Sequence, residues 1–310
     1  TPCGALELTP GSDPDLFWAT AGGMGLTGVV LEATVRMLRV ETSSMRVVTE
    51  RAADLDDVMA RMAAGDSRHR YSVAWIDCLA RGRSLGRSVL TQGDHARYED
   101  LPAGARHDPL RFGAGATRGV PRLLPGSVVN RATVRAFNEL WFRKAPSHAV
   151  TIEPLVSFFH PLDAVRDWNR LYGPSGFVQY QFAVPFGAEG VVEAALRHLS
   201  ALRLPSFLGV LKRFGPGSPG PLSFPMPGWT LAVDLPARLP GLAGVLDALD
   251  ERVADAGGRV YLAKDGRLRP ELLRAMYPQL DRWMAVRRRV DPDGVLQSDL
   301  ARRLEVGRAA

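Results

Sequence analysis

The sequence predicts an α+β fold. Three observations over its 310 residues carry that expectation. From Phe177 to Lys264 the pattern runs strand, helix, strand, strand, helix, strand, the ferredoxin-like β-α-β-β-α-β order that builds an antiparallel sheet with helices on one face. Its strands alternate apolar and polar residues, as a sheet covered on one side requires. Hydrophobic residues make up 46% and charged residues 23% of the chain, an ordinary globular balance.

Taken in order, Thr1 to Pro10 reads as half of a hairpin entering an element already under way, so the sequence is expected to belong to a longer protein. Ser12-Asp13-Pro14 is a helix start, a capping side chain followed by a proline whose missing N–H costs nothing there. Gly23-Met24-Gly25-Leu26-Thr27-Gly28 then matches G-x-G-x-x-G. A Rossmann site needs a strand before these glycines and a helix after them. Here a helix precedes and a strand is expected to follow, with Leu31, Ala33, Val35 and Met37 alternating with Glu32, Thr34 and Arg36. No helix N-terminus faces a phosphate, so the motif reads as a glycine turn closing a helix.

Residues 53–64 form an amphipathic helix pattern, and 70–78 ("RYSVAWIDC") a strand. Residues 96–131 are rich in Gly, Pro and Arg and read as a long loop, followed by a helix near 133–142. "AVTIEPLVSFF" is strand-like and "PLDAVRDWNRLYG" a helix closed by Gly173. In the repeating segment, 177–185, 207–215, 229–237 and 259–264 are strands, and 188–202 and 241–258 helices. "GPGSPGPLSFPMPG" (215–228) holds too many prolines for regular structure. It and 96–131 are expected to be mobile lids. Helices near 269–284 and 295–304 finish the chain.

Composition excludes several classes. No run of about 18 apolar residues is present to span a membrane, and no signal peptide is recognisable. Cys3 and Cys78 lack metal spacing. The net charge of +6 is carried by scattered arginines. Arg287-Arg288-Arg289, the densest run, is too short for nucleic acid. A mildly basic face suits an anionic lipid or a phosphate-bearing substrate, and equally a solvated surface. Of the 39 basic residues only Lys144, Lys212 and Lys264 are lysines. A lysine retained among so many arginines is informative, because the two differ as chemistry.

Strand periodicity puts Gln179 and Gln181 on one face, opposite Val178, Tyr180 and Phe182. Val210, Lys212 and Phe214 share a face, as do Thr230, Ala232 and Asp234. Such faces meet solvent or line a pocket that hydrogen-bonds a polyhydroxylated ligand. His160 precedes a helix start and fits a structural role. No Ser-His-Asp order, paired-carboxylate motif or metal spacing is present. Lys264 stands where a strand ends, a common place for a functional residue.

"DLFWATAGGMGLTGVV", "YSVAWID", "FFHPLD", "GPSGFVQYQF", "VLKRFGPG", "PLSFPMPGW", "YLAKDGR" and "RRRVDPDGVLQSDLARRLE" together resemble, in order along the whole chain, the decaprenylphosphoryl-β-D-ribose 2′-oxidases. These are FAD-linked oxidases of the vanillyl-alcohol-oxidase-like superfamily that act in cell-wall arabinan synthesis. The resemblance implies that residues 1–41 and 259–310 belong to a partial FAD-binding domain and 42–258 to a substrate (cap) domain. It implies FAD contacts at Gly25, Gly28, Val29 and Tyr261 and a catalytic Lys264 beside flavin and substrate. Trp75, Phe159, Gln179, Gln181, Lys212, Thr230 and Ala232 take pocket-lining positions. The family carries a tyrosine at Phe159, and often Asn and Cys at Thr230 and Ala232, so an altered pocket is expected. The family's N-terminal FAD segment, with its phosphate-cradling loops, has no counterpart in this sequence.

The implied chemistry is oxidation of the ribose 2′-hydroxyl of a polyprenyl-phosphoryl sugar, the ketone passing to a short-chain dehydrogenase/reductase partner. A cell-envelope location with peripheral membrane association follows from the same resemblance, and no nucleic acid is involved. Alternatives are an aldonolactone or polyol oxidase, or a flavin-free binding module or split-gene partner.

Overall fold

The structure, a computed structural model, describes residues 1–113, 118–120 and 128–306. In chain order its elements are α1 (Pro14–Thr20), β1 (Ser44–Ala52), α2 (Leu55–Gly65), β2 (Tyr71–Ile76), β3 (Ser88–His95), β4 (Arg118–Gly119), α3 (Arg131–Lys144), β5 (His148–Pro154), α4 (Leu155–Phe159) and β6 (Val165–Arg166). There follow β7 (Phe177–Pro185), α5 (Glu189–Ala201), β8 (Gly209–Phe214), β9 (Gly228–Pro236), α6 (Leu242–Asp255), β10 (Arg259–Val260), α7 (Pro270–Met276), α8 (Leu280–Val290) and α9 (Asp299–Arg303).

Eight strands form one sheet in the order β10-β7-β9-β8-β2-β3-β1-β5, and every adjacent pair is antiparallel. The first four realise the expected β-α-β-β-α-β unit. The other four repeat its strand order in mirror image. The halves join where β2 pairs with β8, Ala74 opposite Leu211 and Trp75 opposite Val210. β4 and β6 make a separate short parallel pair.

One face of the sheet is filled. Ala74, Ile76, Leu90, Tyr180, Phe182, Val184, Leu211, Leu231 and Val233 form a single buried core with Val58 and Met62 of α2, Val192, Leu196 and Leu199 of α5, and Leu246, Leu249 and Val253 of α6. Burying large aliphatic side chains at about 1.5–3 kcal/mol each drives this layer together. The core runs on to Leu16 of α1, Met276 of α7 and Trp283 of α8. Trp283 Nε1 donates to the Ala19 carbonyl at 2.9 Å, which ties α1 to α8. The Asp13 carboxylate accepts from Leu16 N and so caps α1 as its sequence predicts.

Several expected elements differ. Residues 29–38 form no strand. Among the described residues nothing pairs with them, and Leu31 and Met37 lie 80% and 81% exposed. Alternation records a tendency, but a strand exists only as a ladder with a partner. Thr1 to Pro10 is likewise irregular, not half of a hairpin. The helix expected over 161–173 is broken into a 3-10 turn, β6 and a 3-10 stretch with a left-handed Gly173. "AVTIEPLVSFF" leaves the sheet at Pro154 and turns helical. The last strand stops at Val260 and passes into a 3-10 turn, Leu262–Lys264. The helix near 269–284 is two helices, broken at Tyr277-Pro278 as proline requires. Residues 114–117 and 121–127 of the expected 96–131 loop lie outside the described residues.

Candidate active site

The other face of the sheet carries the polar row. Because Tyr180 and Phe182 point into the core, alternation sends Gln179 and Gln181 the opposite way. The same rule aims Thr230, Ala232 and Asp234 from β9, Val210 and Lys212 from β8, and Trp75 from β2 out of that face. Register sets them side by side, with Gln181 opposite Ala232, Gln179 opposite Asp234, and Lys212 opposite Thr230.

Lys264 reaches the row from the 3-10 turn after β10. Tyr261 N donates to the Gln181 carbonyl at 2.9 Å and Lys264 N to the Tyr261 carbonyl at 3.0 Å, so the turn is locked against β7. From there Lys264 Nζ donates to Gln181 Oε1 at 2.7 Å. Gln181 Nε2 donates onward to Thr230 Oγ1 at 3.0 Å. Beside this chain, Gln179 Nε2 donates to Asp234 Oδ1 at 2.5 Å.

The electrostatics are uneven. Asp234 is fully buried, and burial pushes its carboxyl up to about 6 against the opposing pull of Gln179 and Lys264. Its second oxygen has no partner, nor does the hydroxyl of buried Tyr172 nearby. Lys264 is held below the ordinary lysine value, first by burial and then by the charge of Lys212, while Asp234 opposes the shift. Burial of its ammonium also holds Lys212 below the ordinary lysine value, although the residue as a whole is exposed.

The remaining candidates divide into two groups. Trp75 Nε1 donates to the Phe207 carbonyl at 2.9 Å. That places Trp75 beside the aromatic cluster of Trp168, Tyr172, Phe177 and Phe207. Phe159 lies elsewhere, against Tyr71 at 4.8 Å and near Phe158 and His95. It belongs to an aromatic group on the β2–β3 part of the sheet rather than to the glutamine row. His160 is exposed, 3.9 Å from Asp163.

Among the described residues no hydrogen bond links Gly25, Gly28 or Val29 to the Lys264 row. The connection runs through 215–228, the segment expected to be a mobile lid. Gly220 lies against the turn after α1, where a Cβ would stand 2.9 Å from the Trp18 carbonyl oxygen. Phe224 is buried and stacks on Tyr261 with ring centroids 4.5 Å apart. Arg259 Nη1 donates to the Ser223 carbonyl at 2.6 Å.

Sequence reasoning put Asp234 on the right face without giving it a role, and it missed Phe207, Tyr172 and Phe224. Asp234 carried a signal, an acidic residue two positions from Ala232 on a polar face. The aromatics carried none, because their partners are distant in sequence.

A flavin needs a cation near its ring and open backbone for close approach. The residues present fit. Lys264 Nζ lies 5.8 Å from the Tyr261 ring centroid. Gly25 is exposed, has φ +74° and would meet nothing within 4 Å if it carried a Cβ. Val29 is 71% exposed. Among the described residues no cluster of His, Cys, Asp or Glu is placed to hold a metal. No helix among them is long and apolar enough to cross a membrane.

Residues 245–304 match the D-arabinono-1,4-lactone oxidase family. The chain is 42% identical over 97% of its length to a decaprenylphosphoryl-β-D-ribose oxidase of Mycolicibacterium smegmatis, and it spans 65% of that protein. It is 45% identical over 93% of its length to an uncharacterised Streptomyces coelicolor protein, of which it spans 80%. In fold it resembles the xylooligosaccharide oxidase of Myceliophthora thermophila C1, solved with xylobiose, at a TM-score of 0.59 and 13% identity, covering 98% of this chain and 63% of that one. A VAO-type flavoprotein from the same fungus matches at a TM-score of 0.51 and 17% identity, covering 93% and 52%.

Proposed function

We propose that the chain, which is 42% identical to a decaprenylphosphoryl-β-D-ribose oxidase and spans 65% of it, forms the substrate-binding part of an FAD-dependent sugar-alcohol oxidase. The substrate in this reading is a polyprenyl-phosphoryl ribose, oxidised at its 2′-hydroxyl to a ketone. A short-chain dehydrogenase/reductase consumes that ketone, and the protein works at the membrane periphery of the cell envelope. Residues 1–41 and 259–310 serve FAD, and 42–258 serve the sugar.

The observation that carries this reading is the hydrogen-bond chain from Lys264 through Gln181 to Thr230 on the polar face of the sheet. Bound FAD would supply the acceptor for the hydride that leaves the sugar carbon. Gly25, Gly28, Val29 and Tyr261 are the residues that would hold it. The rest falls to this chain's side chains. Gln179 is held by Asp234 and keeps its carbonyl oxygen free to accept from a sugar hydroxyl. Lys264 places a cation where the substrate oxygen gains negative charge as its proton leaves, the electrostatic contribution that preorganised sites make largest. Trp75 gives an apolar wall to a sugar ring, and Ala232 leaves room above β9.

A second reading, an aldonolactone oxidase, is favoured by the match of residues 245–304. The test is anaerobic mixing of the flavin-loaded protein with polyprenyl-phosphoryl ribose or with D-arabinono-1,4-lactone. Bleaching of the flavin absorbance by the first and not by the second supports the proposal. Bleaching by the lactone alone establishes the second reading, and bleaching by neither overturns both.

A further inference from the structure

Two of the three lysines in the sequence lie on the same side of the sheet, and their local charge is unbalanced. Lys212 lies on β8 opposite Thr230. Thr230 accepts from Gln181, which in turn accepts from Lys264. The charge of Lys212 acts on Lys264 and helps hold its ammonium below the ordinary lysine value. Lys264 spends one donor on Gln181, whereas Lys212 has neither a hydrogen bond nor an ion pair with any described residue. Among the described residues, the one carboxylate shown to act on Lys264 is Asp234, fully buried and already engaged by Gln179. Two cations against one partly spent carboxylate leave an excess positive charge. Five free N–H donors, three on Lys212 and two on Lys264, remain on this side of the sheet.

Like charges repel, and holding two of them side by side is unfavourable unless an anion is bound between them. Arginine occupies nearly every other basic position of this sequence, and its planar fork is the commoner choice for a surface ion pair. Lysine is a compact point charge and a common phosphate ligand.

We infer that Lys212, with Lys264 as the second cation, forms an anion subsite that takes the phosphodiester of a lipid-linked sugar. The inference rests on the oxidase reading for the identity of the diester, whereas the anion site itself does not. The donors lie on the same face as Gln179 and Thr230, so phosphoryl group and sugar would bind side by side. Asp234 tempers the site: its carboxylate favours the charged form of Lys264 and offsets part of the attraction for an anion.

The experiment needs neither flavin nor turnover. Wild-type protein is titrated with inorganic phosphate and separately with dimethyl phosphate, in chloride buffer of constant ionic strength, by calorimetry and by thermal shift. A site raises the melting temperature in a saturable way, because a ligand that binds only the folded state stabilises it. Both anions are expected to bind and to compete. Lys212→Gln should weaken both by roughly tenfold, the loss of one charge-assisted contact, and Lys212→Arg should recover part of that loss. Asp234→Asn should tighten both several-fold, an effect opposite in sign that a merely structural role would not give.

Lys212 is exposed, so the glutamine variant should melt like wild type without anion, and that control separates binding from folding. If Lys212→Gln binds as wild type does, or if phosphate acts no differently from chloride, the subsite does not exist. Binding of inorganic phosphate without dimethyl phosphate overturns the diester assignment. A protein that passes these tests yet oxidises no sugar loses the oxidase reading alone.

Discussion

The Lys264 ammonium donates to Gln181 Oε1 at 2.7 Å, and the same Gln181 receives a backbone bond from Tyr261 at its own carbonyl. One residue of β7 therefore fixes both ends of the turn that presents the lysine. This makes Lys264→Arg a non-conservative change. Arginine keeps the charge but is longer and planar, so its fork does not place a donor and the charge where the compact ammonium puts them beside Gln181. In the flavin-loaded protein, single-turnover flavin reduction should fall by on the order of 10²–10³, as when one oxyanion donor is lost. A wild-type rate would remove Lys264 from the chemistry.

Asp234 gives the stability a pH dependence whose sign can be stated. Burial raises its carboxyl from 3.8 to about 6, so the folded protein holds this proton more tightly than the unfolded chain. Relative to a residue that does not titrate, its contribution is most favourable below the unfolded value and is lost as pH rises through about 6. Asp234→Asn should therefore gain on wild type as pH climbs from 3.8 to about 6, by on the order of 1–3 kcal/mol. Urea unfolding of both proteins across that interval measures it. A constant difference would show that Asp234 does not titrate there.

Gly23 permits the turn after α1 for a steric reason. A Cβ at this position would collide with the Ala19 carbonyl oxygen, which already accepts from Trp283. Gly23→Ala should cost about 1–3 kcal/mol, the usual range for forcing atoms into a packed site. Gly25→Ala meets no atom within 4 Å and suffers only its φ of +74°, about 1 kcal/mol. Thermal melting that ranks the two variants the other way would contradict the geometry.

The sheet was largely legible before the structure. Its signals are local: alternation over 177–185 and 229–237, Asp13-Pro14 at a helix start, prolines through 215–228. The polar face was legible too, because a period of two assigns Gln179, Gln181, Thr230 and Asp234 to one side without knowledge of their neighbours. What failed depended on partners. Leu31 to Met37 alternate as a strand does, yet nothing among the described residues pairs with them. Phe159 sits five residues past the end of β5, and whether it meets Gln181 or Tyr71 is decided by a turn at Pro154 that its own neighbourhood does not announce. The proline-rich segment was expected to move freely because it lacks periodicity. Tyr261 and Arg259, distant in sequence, contact it at Phe224 and Ser223.

That segment yields the last prediction. Phe224 stacks on Tyr261 at 4.5 Å and makes an edge contact with Phe214 at 5.7 Å. Ser223 receives Arg259, and Gly220 seats against the turn after α1. Residues 220–224 thus bridge the glycine turn to the residue that precedes the Lys264 turn. Removing the Phe224 ring takes away a buried aromatic and leaves a cavity, which typically costs about 3–5 kcal/mol in a core. The Tyr261 ring would lose its stacking partner, and the Arg259 to Ser223 bond would have to hold the segment alone. Phe224→Ala should therefore open 215–228 to proteolysis and fast amide exchange while the core strands β7 and β9 stay protected. Phe224→Leu should lie between the two, since it fills part of the volume without stacking. Exchange in 215–228 that is as fast in wild type as in Phe224→Ala would show that the segment is a free lid after all, and that the Phe224–Tyr261 contact does not hold it.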